Sequence, residues 1–126
     1  MDIVYIRDLK VNTIIGIYDW EREVRQTVSL DLEMAFDISE AARTDNIDHT
    51  LNYKAVAKRL ISFIEGSEFL LVETMAEQAA AIVRDEFGVS WLRLRLSKPG
   101  AVRGSRDVGV IIERGERPAS GAAAGV

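Results

Sequence analysis

The side chains with which this chain could do chemistry are lysines, tyrosines and carboxylates. The sequence has no cysteine and one histidine, His49, so a single chain cannot supply a thiolate nucleophile or a zinc site of three histidines. Its glycines form neither a GxGxxG fingerprint nor a Walker A motif, which argues against a nucleotide-phosphate site. Lys98 is the first candidate, because it ends an alternating strand pattern and is followed directly by Pro99 and Gly100.

Lys98 has more than one interpretation. A lysine beside a turn is commonly a solvated surface charge. However, strand ends are rigid positions from which functional groups are presented, and Pro99 restricts the backbone of Lys98 toward extended geometry. A lysine held in this way could act as a general base, or it could form a Schiff base with a carbonyl substrate. The pattern alone leaves these alternatives open.

Three other residues could take part in chemistry. Tyr53 lies on a helical apolar stripe, so it is either a core aromatic or a phenol that relays a proton. Glu73 falls in the first turn of a predicted helix, where acidic residues are favoured by the helix dipole, but a carboxylate can also accept two neighbouring N–H groups of a ligand. Glu21 begins the charge run EREVR, which is typical of a solvated loop. Trp20 and Trp91 are either packing or ring-stacking groups.

Periodic patterns indicate the strands that must hold these residues. Apolar and polar residues alternate over residues 27–38, 91–97 and 108–113, which predicts strands with one buried face and one wet face. Residues 3–17 are rich in Ile, Val and Tyr and are also predicted to be extended. Residues 18–26 break the pattern and are expected to connect the first two strands.

Apolar residues at helical spacing predict two helices between the strand pairs. The first covers residues 53–64, with Asn52 as its N-cap and Gly66 as its stop. The second runs from about residue 72 to 87. The polar stretch over residues 39–50 is expected to hold one helical turn.

The order strand, strand, helix, helix, strand, strand predicts an α+β fold: an antiparallel four-stranded sheet with both helices on one face. The opposite face carries Thr, Ser, Asp, Glu and Arg. Such a sheet has two edges, which copies of the chain would cover if they continued the sheet. We expect one domain over residues 1–115 and a disordered, small-residue tail over residues 116–126.

Charge and composition limit the kinds of binding partner that we expect for this chain. The chain has 126 residues and a formal net charge of −4, and a mildly acidic chain is poorly suited to the phosphate backbone of nucleic acids. No run of about 18 apolar residues occurs, so we expect no membrane span. The N-terminal segment MDIVYIRDLK mixes charges among its apolar residues, unlike a secretory signal. We therefore expect a cytoplasmic location.

Four segments together resemble the dihydroneopterin aldolase family, in its bacterial KPGA-type branch. They are GIYDWERE (16–23), LNY (51–53), LLVETMAE (70–77) and LSKPGA...VGVIIERG (96–115). The resemblance covers about residues 2–115 in order and spacing. It implies the tunnelling fold, in which ββααββ subunits form a ring of four around a barrel, and it implies that two rings stack into a homo-octamer.

The resemblance also implies a reaction. The family cleaves 7,8-dihydroneopterin by a retro-aldol step into 6-hydroxymethyl-7,8-dihydropterin and glycolaldehyde, in folate biosynthesis, and it often epimerises the substrate at C2′ to dihydromonapterin. It uses no metal, no cofactor and no protein Schiff base. A dihydropterin supplies its own electron sink, because protonation at N5 gives an iminium conjugated to the breaking bond.

The site residues follow from the same resemblance. Lys98 matches the catalytic lysine, and Tyr53 matches a catalytic tyrosine contributed to a neighbouring subunit's site. Glu73 matches the carboxylate that anchors the pterin, and Val72 beside it contributes backbone contacts. Glu21 matches a second acidic residue of the site, with a role in orienting Lys98 or a water molecule.

Two alternatives to the aldolase function are retained. One is a dihydroneopterin triphosphate 2′-epimerase, which would need cations for the triphosphate, and Arg103 and Arg106 could supply them. The KPGA segment favours the aldolase over it. The other is a ring that binds pterin through Glu73 without turning it over. Metal-dependent relatives with the same fold are disfavoured, since their histidine or cysteine ligands are missing from the sequence.

Overall fold

The computed structural model describes residues 1–117, which form four strands, three α-helices and two 3-10 turns. The strands are β1 (Asp2–Thr13), β2 (Gln26–Phe36), β3 (Trp91–Pro99) and β4 (Asp107–Gly115), and the helices are α1 (Ser39–Thr44), α2 (Tyr53–Glu65) and α3 (Val72–Phe87). The 3-10 turns are Asp19–Arg22 and Ile47–His49. The predicted tail lies outside the described residues from residue 118 onward, so its disorder and the domain limit at residue 115 stay predictions.

The four strands form one antiparallel sheet in the order β1-β2-β3-β4, which confirms the predicted α+β class. β3 pairs with β2 from Ser29↔Ser97 to Met34↔Leu92 and with β4 from Trp91↔Gly115 to Pro99↔Asp107. The pairing of β1 with β2 shifts between Ile6 and Leu9. Asp8 lies in this shift with a φ of 56°, and its N–H donates to the Asp31 carboxylate at 2.6 Å.

β1 is shorter than predicted. The apolar composition of residues 14–17 favours an extended chain, but the strand ends at Thr13. There the Thr13 hydroxyl donates to the Ile64 carbonyl at 2.6 Å and fastens the strand end to α2. Gly16 then adopts a φ of +132°, which a residue with a side chain rarely adopts. The chain therefore leaves the sheet early and forms a loop beside the start of α3.

The core lies between the sheet and the two long helices, as the apolar stripes predict. Asn52 caps α2 by accepting from the Ala55 N–H at 3.1 Å, and Gly88 ends α3 in the left-handed region, so both helices span nearly the predicted residues. Burial of each aliphatic side chain stabilises the folded state by about 1.5–3 kcal/mol. The fully buried residues of the core include Val28, Leu30, Leu32, Met34, Val56, Leu60, Ile64, Met75, Ala79, Val83, Leu92, Leu94 and Leu96.

The sheet face away from the helices is polar. Asp31 lies opposite Arg95 and Glu33 opposite Arg93, and Arg95 also donates to Asp107 at 2.7 Å. These cross-strand pairs suit a wet face. No helix within residues 1–117 has the length and apolar character needed to cross a membrane. The expected cytoplasmic location and the expected lack of nucleic-acid binding stay predictions.

Candidate active site

A cavity of about 350 Å³ opens where β3 ends, between the β1–β2 loop and the start of α3. This volume lies in the range of small-molecule sites. Four of the five residues singled out as site candidates line this cavity, although they come from three separate parts of the chain. The lining residues are Ile15, Gly16, Ile17, Tyr18, Trp20, Glu21, Gln26, Leu70, Leu71, Val72, Glu73, Lys98, Gly100 and Ala101.

Lys98 and Glu21 form an ion pair in this cavity. Lys98 Nζ donates to Glu21 Oε2 at 2.7 Å, and the two side chains are only 15% and 6% exposed. Side chains alternate along a strand, so Lys98 points to the same side of β3 as the core residue Leu96. Lys98 is therefore not the solvated lysine that one interpretation of the sequence allowed.

Glu21 is held by three donors. Besides Lys98, the Gln26 side chain donates to Glu21 Oε2 at 2.9 Å and the Tyr18 N–H donates to Oε1 at 3.2 Å. Burial alone would raise the pKa of Glu21, but the hydrogen bonds from Lys98, Gln26 and Tyr18 outweigh it and lower the pKa from 4.5 to about 2. The carboxylate is therefore ionised at neutral pH and gives Lys98 a fixed negative neighbour. The solvated loop interpretation of Glu21 is wrong.

Gly16 makes room for the Glu21 carboxylate. A Cβ atom on Gly16 would overlap that carboxyl group, and the positive φ of Gly16 adds strain to any substitution. Because Glu21 reaches Lys98 across this space, the glycine sets where the carboxylate can lie.

Replacing Gly16 with alanine is expected to lower kcat by about 10- to 100-fold for any reaction in which the Lys98–Glu21 pair takes part, because misplacing a reacting group by about 1 Å has that cost. The measurement is steady-state turnover, together with a thermal melt to check folding. Gly66→Ala is the matched control, since a Cβ there meets only two carbonyl oxygens, at 3.6 and 4.0 Å. If Gly16→Ala turns over as fast as the Gly66→Ala variant, the close packing of Gly16 on Glu21 does not matter for catalysis.

Val72 and Glu73 form the other side of the cavity, at the first turn of α3. The N-cap is Leu71, which cannot accept a hydrogen bond through its side chain, so the first N–H groups of the helix keep their donor capacity. Glu73 is exposed and has no ion-pair partner within residues 1–117. This wall therefore offers both a carboxylate acceptor and helix N–H donors to a ligand.

Tyr53 lies apart from the Lys98 cavity in this chain. Its side chain is 60% exposed, so it is not the core aromatic that one interpretation proposed. It lines a second cavity of about 480 Å³, together with α1 and the 3-10 turn that follows α1. Of the two tryptophans, Trp20 is 60% exposed at the Lys98 cavity, whereas Trp91 is 3% exposed and lies beneath the Arg117 guanidinium, 4.8 Å from the ring centroid.

Sequence patterns missed two residues of the site, Gln26 and Gly16. Gln26 stands at the first position of β2, where nothing in its residue type marks it as a partner of Glu21. Gly16 begins one of the motif segments, but no local pattern marks its role, because the burial of Glu21 five residues later is known only from the structure. Arg103 and Arg106 are exposed in the β3–β4 connection and are not among the residues that line the cavity.

The fold and the site together define a class of protein. On an antiparallel ββααββ sheet, a lysine–carboxylate pair faces a helix N-terminus that carries a second carboxylate, across a cavity of small-molecule size. Such a site can transfer protons at one end and bind a flat ring with N–H groups at the other. Within residues 1–117, no three His, Asp or Glu side chains gather as a metal site would require.

The chain belongs to the dihydroneopterin aldolase family, whose family model matches residues 4–113. It is 47% identical to the dihydroneopterin aldolase of Escherichia coli (strain K12) over 115 residues, which are 91% of this chain and 94% of that protein. It is 43% identical to the Haemophilus influenzae enzyme of the same name, over 91% of this chain and 98% of that one. The crystal structure of the E. coli aldolase in complex with neopterin superposes with a TM-score of 0.89 at 47% identity, covering 91% of this chain and 100% of that one.

Proposed function

We propose that Lys98, Glu21 and Glu73 of one subunit, with Tyr53 of a neighbouring subunit, form the active site of this aldolase. The chain is a carbon–carbon lyase that cleaves 7,8-dihydroneopterin into 6-hydroxymethyl-7,8-dihydropterin and glycolaldehyde, a reaction of folate biosynthesis. The observation that carries the assignment of residues is the 2.7 Å contact between Lys98 Nζ and Glu21 Oε2, which faces Glu73 across one cavity.

The pterin ring binds at the start of α3. Its 2-amino-4-oxo edge presents two neighbouring N–H donors, and the two oxygens of Glu73 accept both, much as a carboxylate accepts an arginine fork. Backbone groups at Val72 complete the contact with the ring edge, because helix N–H groups there are not capped by a side chain. This orientation sends the trihydroxypropyl side chain of the substrate toward Lys98.

Bond cleavage begins at the C2′ hydroxyl. Lys98 reacts as the free amine: through a bound water molecule it takes the proton of this hydroxyl, while solvent protonates the ring at N5, and the ammonium that results is the form paired with Glu21. The C1′–C2′ bond then breaks: its electron pair flows into the N5 iminium, and C2′ becomes the carbonyl carbon of glycolaldehyde. In the ion-paired state the pKa of Glu21 is about 2, so its carboxylate is ionised there and stabilises the positive charge that Lys98 gains with the proton.

The second half of the reaction returns a proton to carbon. The enol-like pterin left after cleavage is protonated at C1′, and loss of the N5 proton to solvent then gives the neutral hydroxymethyl product. Tyr53 assists this step as a phenol that relays a proton. Bound glycolaldehyde can also rotate so that its other face points to C1′ before it leaves the site. The reverse reaction then re-forms the C1′–C2′ bond with the other configuration at C2′, which gives the additional epimerase activity and dihydromonapterin.

A ring of subunits brings Tyr53 to the cavity of another subunit, and two rings of four form a homo-octamer. Three observations support this arrangement. Tyr53 is exposed, and the rim of the Lys98 cavity carries the exposed apolar residues Ile17, Leu70 and Leu71. β1 and β4 each pair with one neighbour inside the chain, so each leaves an edge on which a second copy can continue the sheet.

Mixing two inactive variants tests whether the site is shared. Lys98→Ala and Tyr53→Phe subunits, unfolded together and refolded as mixed oligomers, are expected to recover about a quarter of the wild-type rate of hydroxymethylpterin formation, because random assembly pairs an intact lysine with an intact tyrosine in that share of sites. Each variant refolded alone is the control. If mixing restores no activity although mixed oligomers form, Tyr53 does not act in a neighbour's site.

The aldolase reaction itself is tested with the purified wild-type protein. Incubation with 7,8-dihydroneopterin in the presence of a chelator is expected to give 6-hydroxymethyl-7,8-dihydropterin and glycolaldehyde in equal amounts. Detection of bound substrate without either product would instead indicate a pterin-binding ring.

A further inference from the structure

Arg22 lies directly after Glu21 and binds backbone rather than a carboxylate. Its Nη1 donates to the carbonyl oxygens of Gly16 at 2.8 Å and Phe69 at 3.0 Å, and its Nη2 donates to the Glu68 carbonyl. The planar guanidinium suits such a set, because its donors have a fixed fork geometry and a permanent charge that strengthens each hydrogen bond. One half-buried side chain thus holds three acceptors in a fixed arrangement.

These acceptors belong to the two loops that flank the cavity. The loop of Gly16 packs on the Glu21 carboxyl group, and the loop of Glu68 and Phe69 leads into Leu71, Val72 and the start of α3. Within residues 1–117, three hydrogen bonds join residues 15–22 to residues 68–73. Arg22 supplies two of them, and the third is the Gly16 N–H donating to the Phe69 carbonyl at 3.2 Å.

We propose that Arg22 is a positioning residue that sets the spacing between the Lys98–Glu21 pair and the pterin anchor at Glu73. The proposal rests on the active site proposed above. Arg22 makes no contact with substrate; it holds the two walls at the distance at which a pterin bound to Glu73 places its side chain beside Lys98. Loss of the guanidinium lets the Glu68–Leu71 loop move, and with it the start of α3 that carries Val72 and Glu73. The geometry in which this anchor binds the pterin is then less populated, so apparent affinity falls.

Arg25 provides a matched control in the same segment. Its Nη1 also donates to two carbonyl oxygens, those of Asn12 at 3.3 Å and Glu65 at 3.2 Å, so it too fastens the region around the β1–β2 loop to the end of α2. Neither acceptor lines the cavity. A purely structural role would therefore affect stability in both arginine variants but would leave substrate affinity unchanged in both.

The experiment compares Arg22→Met, Arg22→Lys and Arg25→Met with the wild type. For Arg22→Met we expect about a tenfold rise in the Kd of neopterin and in KM for dihydroneopterin, with kcat changed less than KM. Arg22→Lys keeps a cation but loses the forked donor geometry of the guanidinium. Its Kd and KM should therefore lie between those of the wild type and those of Arg22→Met. Arg25→Met should keep both constants at wild-type values.

Two results would overturn the proposal. In the first, the Kd and KM of both Arg22 variants equal those of Arg25→Met. In the second, the Arg22 variants lose kcat while their Kd and KM keep the wild-type values. If Arg22→Met does not fold, the decision rests on Arg22→Lys. Calorimetric neopterin binding does not depend on turnover, so failure of this proposal is distinguishable from failure of the aldolase assignment, which would appear as lack of cleavage by the wild type.

Discussion

Replacement of Lys98 with alanine is expected to lower kcat for dihydroneopterin cleavage by about 10²- to 10⁴-fold, the range that a positioned acid–base group contributes. The variant removes the group that lies 2.7 Å from Glu21 Oε2 and that transfers the C2′ proton in the proposed mechanism. The Kd of neopterin should change by less than about threefold, because the proposed anchor of the ring, Glu73, lies on the opposite wall. Turnover is followed by product chromatography and binding by calorimetry.

The controls for this prediction separate chemistry from stability. Lys98→Ala leaves the nearly buried Glu21 carboxylate without its counter-ion, which destabilises the fold, and the double variant Lys98→Ala/Glu21→Gln removes that penalty without restoring the lysine. Lys10→Ala changes a lysine that is 63% exposed and should keep the wild-type rate. A Lys98→Ala enzyme that cleaves as fast as the wild type would exclude Lys98 from the reaction.

Replacement of Glu73 with glutamine is expected to weaken neopterin binding by about 30- to 150-fold. The amide keeps the shape of the side chain but presents one acceptor and one donor to the two N–H groups of the pterin, so one charge-assisted pair is lost and one contact becomes donor against donor. That loss corresponds to roughly 2–3 kcal/mol. Calorimetric titration with neopterin measures it directly.

The fold should tolerate this change, because Glu73 is exposed and has no ion-pair partner within residues 1–117. Glu65→Gln, at the exposed end of α2, is the control for the loss of one surface charge and should bind neopterin like the wild type. An unchanged Kd in Glu73→Gln would show that the pterin edge is bound elsewhere.

The order of the elements could be predicted because each element has a local signature. Alternation along β2 and β3 and the 3–4 spacing in α2 and α3 report which face is buried, and the structure places those faces against one another. The end of β1 was not predicted, because residues 14–17 are as apolar as the strand before them. The strand ends at Thr13, whose hydroxyl donates a hydrogen bond to the Ile64 carbonyl, 51 residues away in the sequence. No local sequence pattern indicates a contact over that distance.

The residues of the candidate site were predicted less completely than the elements, because contacts between distant segments leave no local pattern. Their places at a strand end and at a helix start made Lys98 and Glu73 candidates only, and the motif resemblance alone gave them a role. Glu21 appeared to be part of a solvated charge run, yet it is the more deeply buried partner of the ion pair. The roles of Tyr53 and Val72 stay predictions, since Tyr53 lines a separate cavity in the single chain and backbone contacts to a pterin require the ligand.

The sequence by itself determined the α+β element order, the strand that ends at Lys98, the helix that begins beside Glu73 and membership of the aldolase family. Only the tertiary structure decided that Lys98 meets Glu21 across 77 residues of chain, that Gly16 gives the carboxylate its space and that Arg22 joins the two walls. Local periodicity fixes where side chains point within one element. The distance between elements depends on how helices and loops pack on the sheet, and that packing places the Lys98–Glu21 ion pair in the same cavity as Glu73.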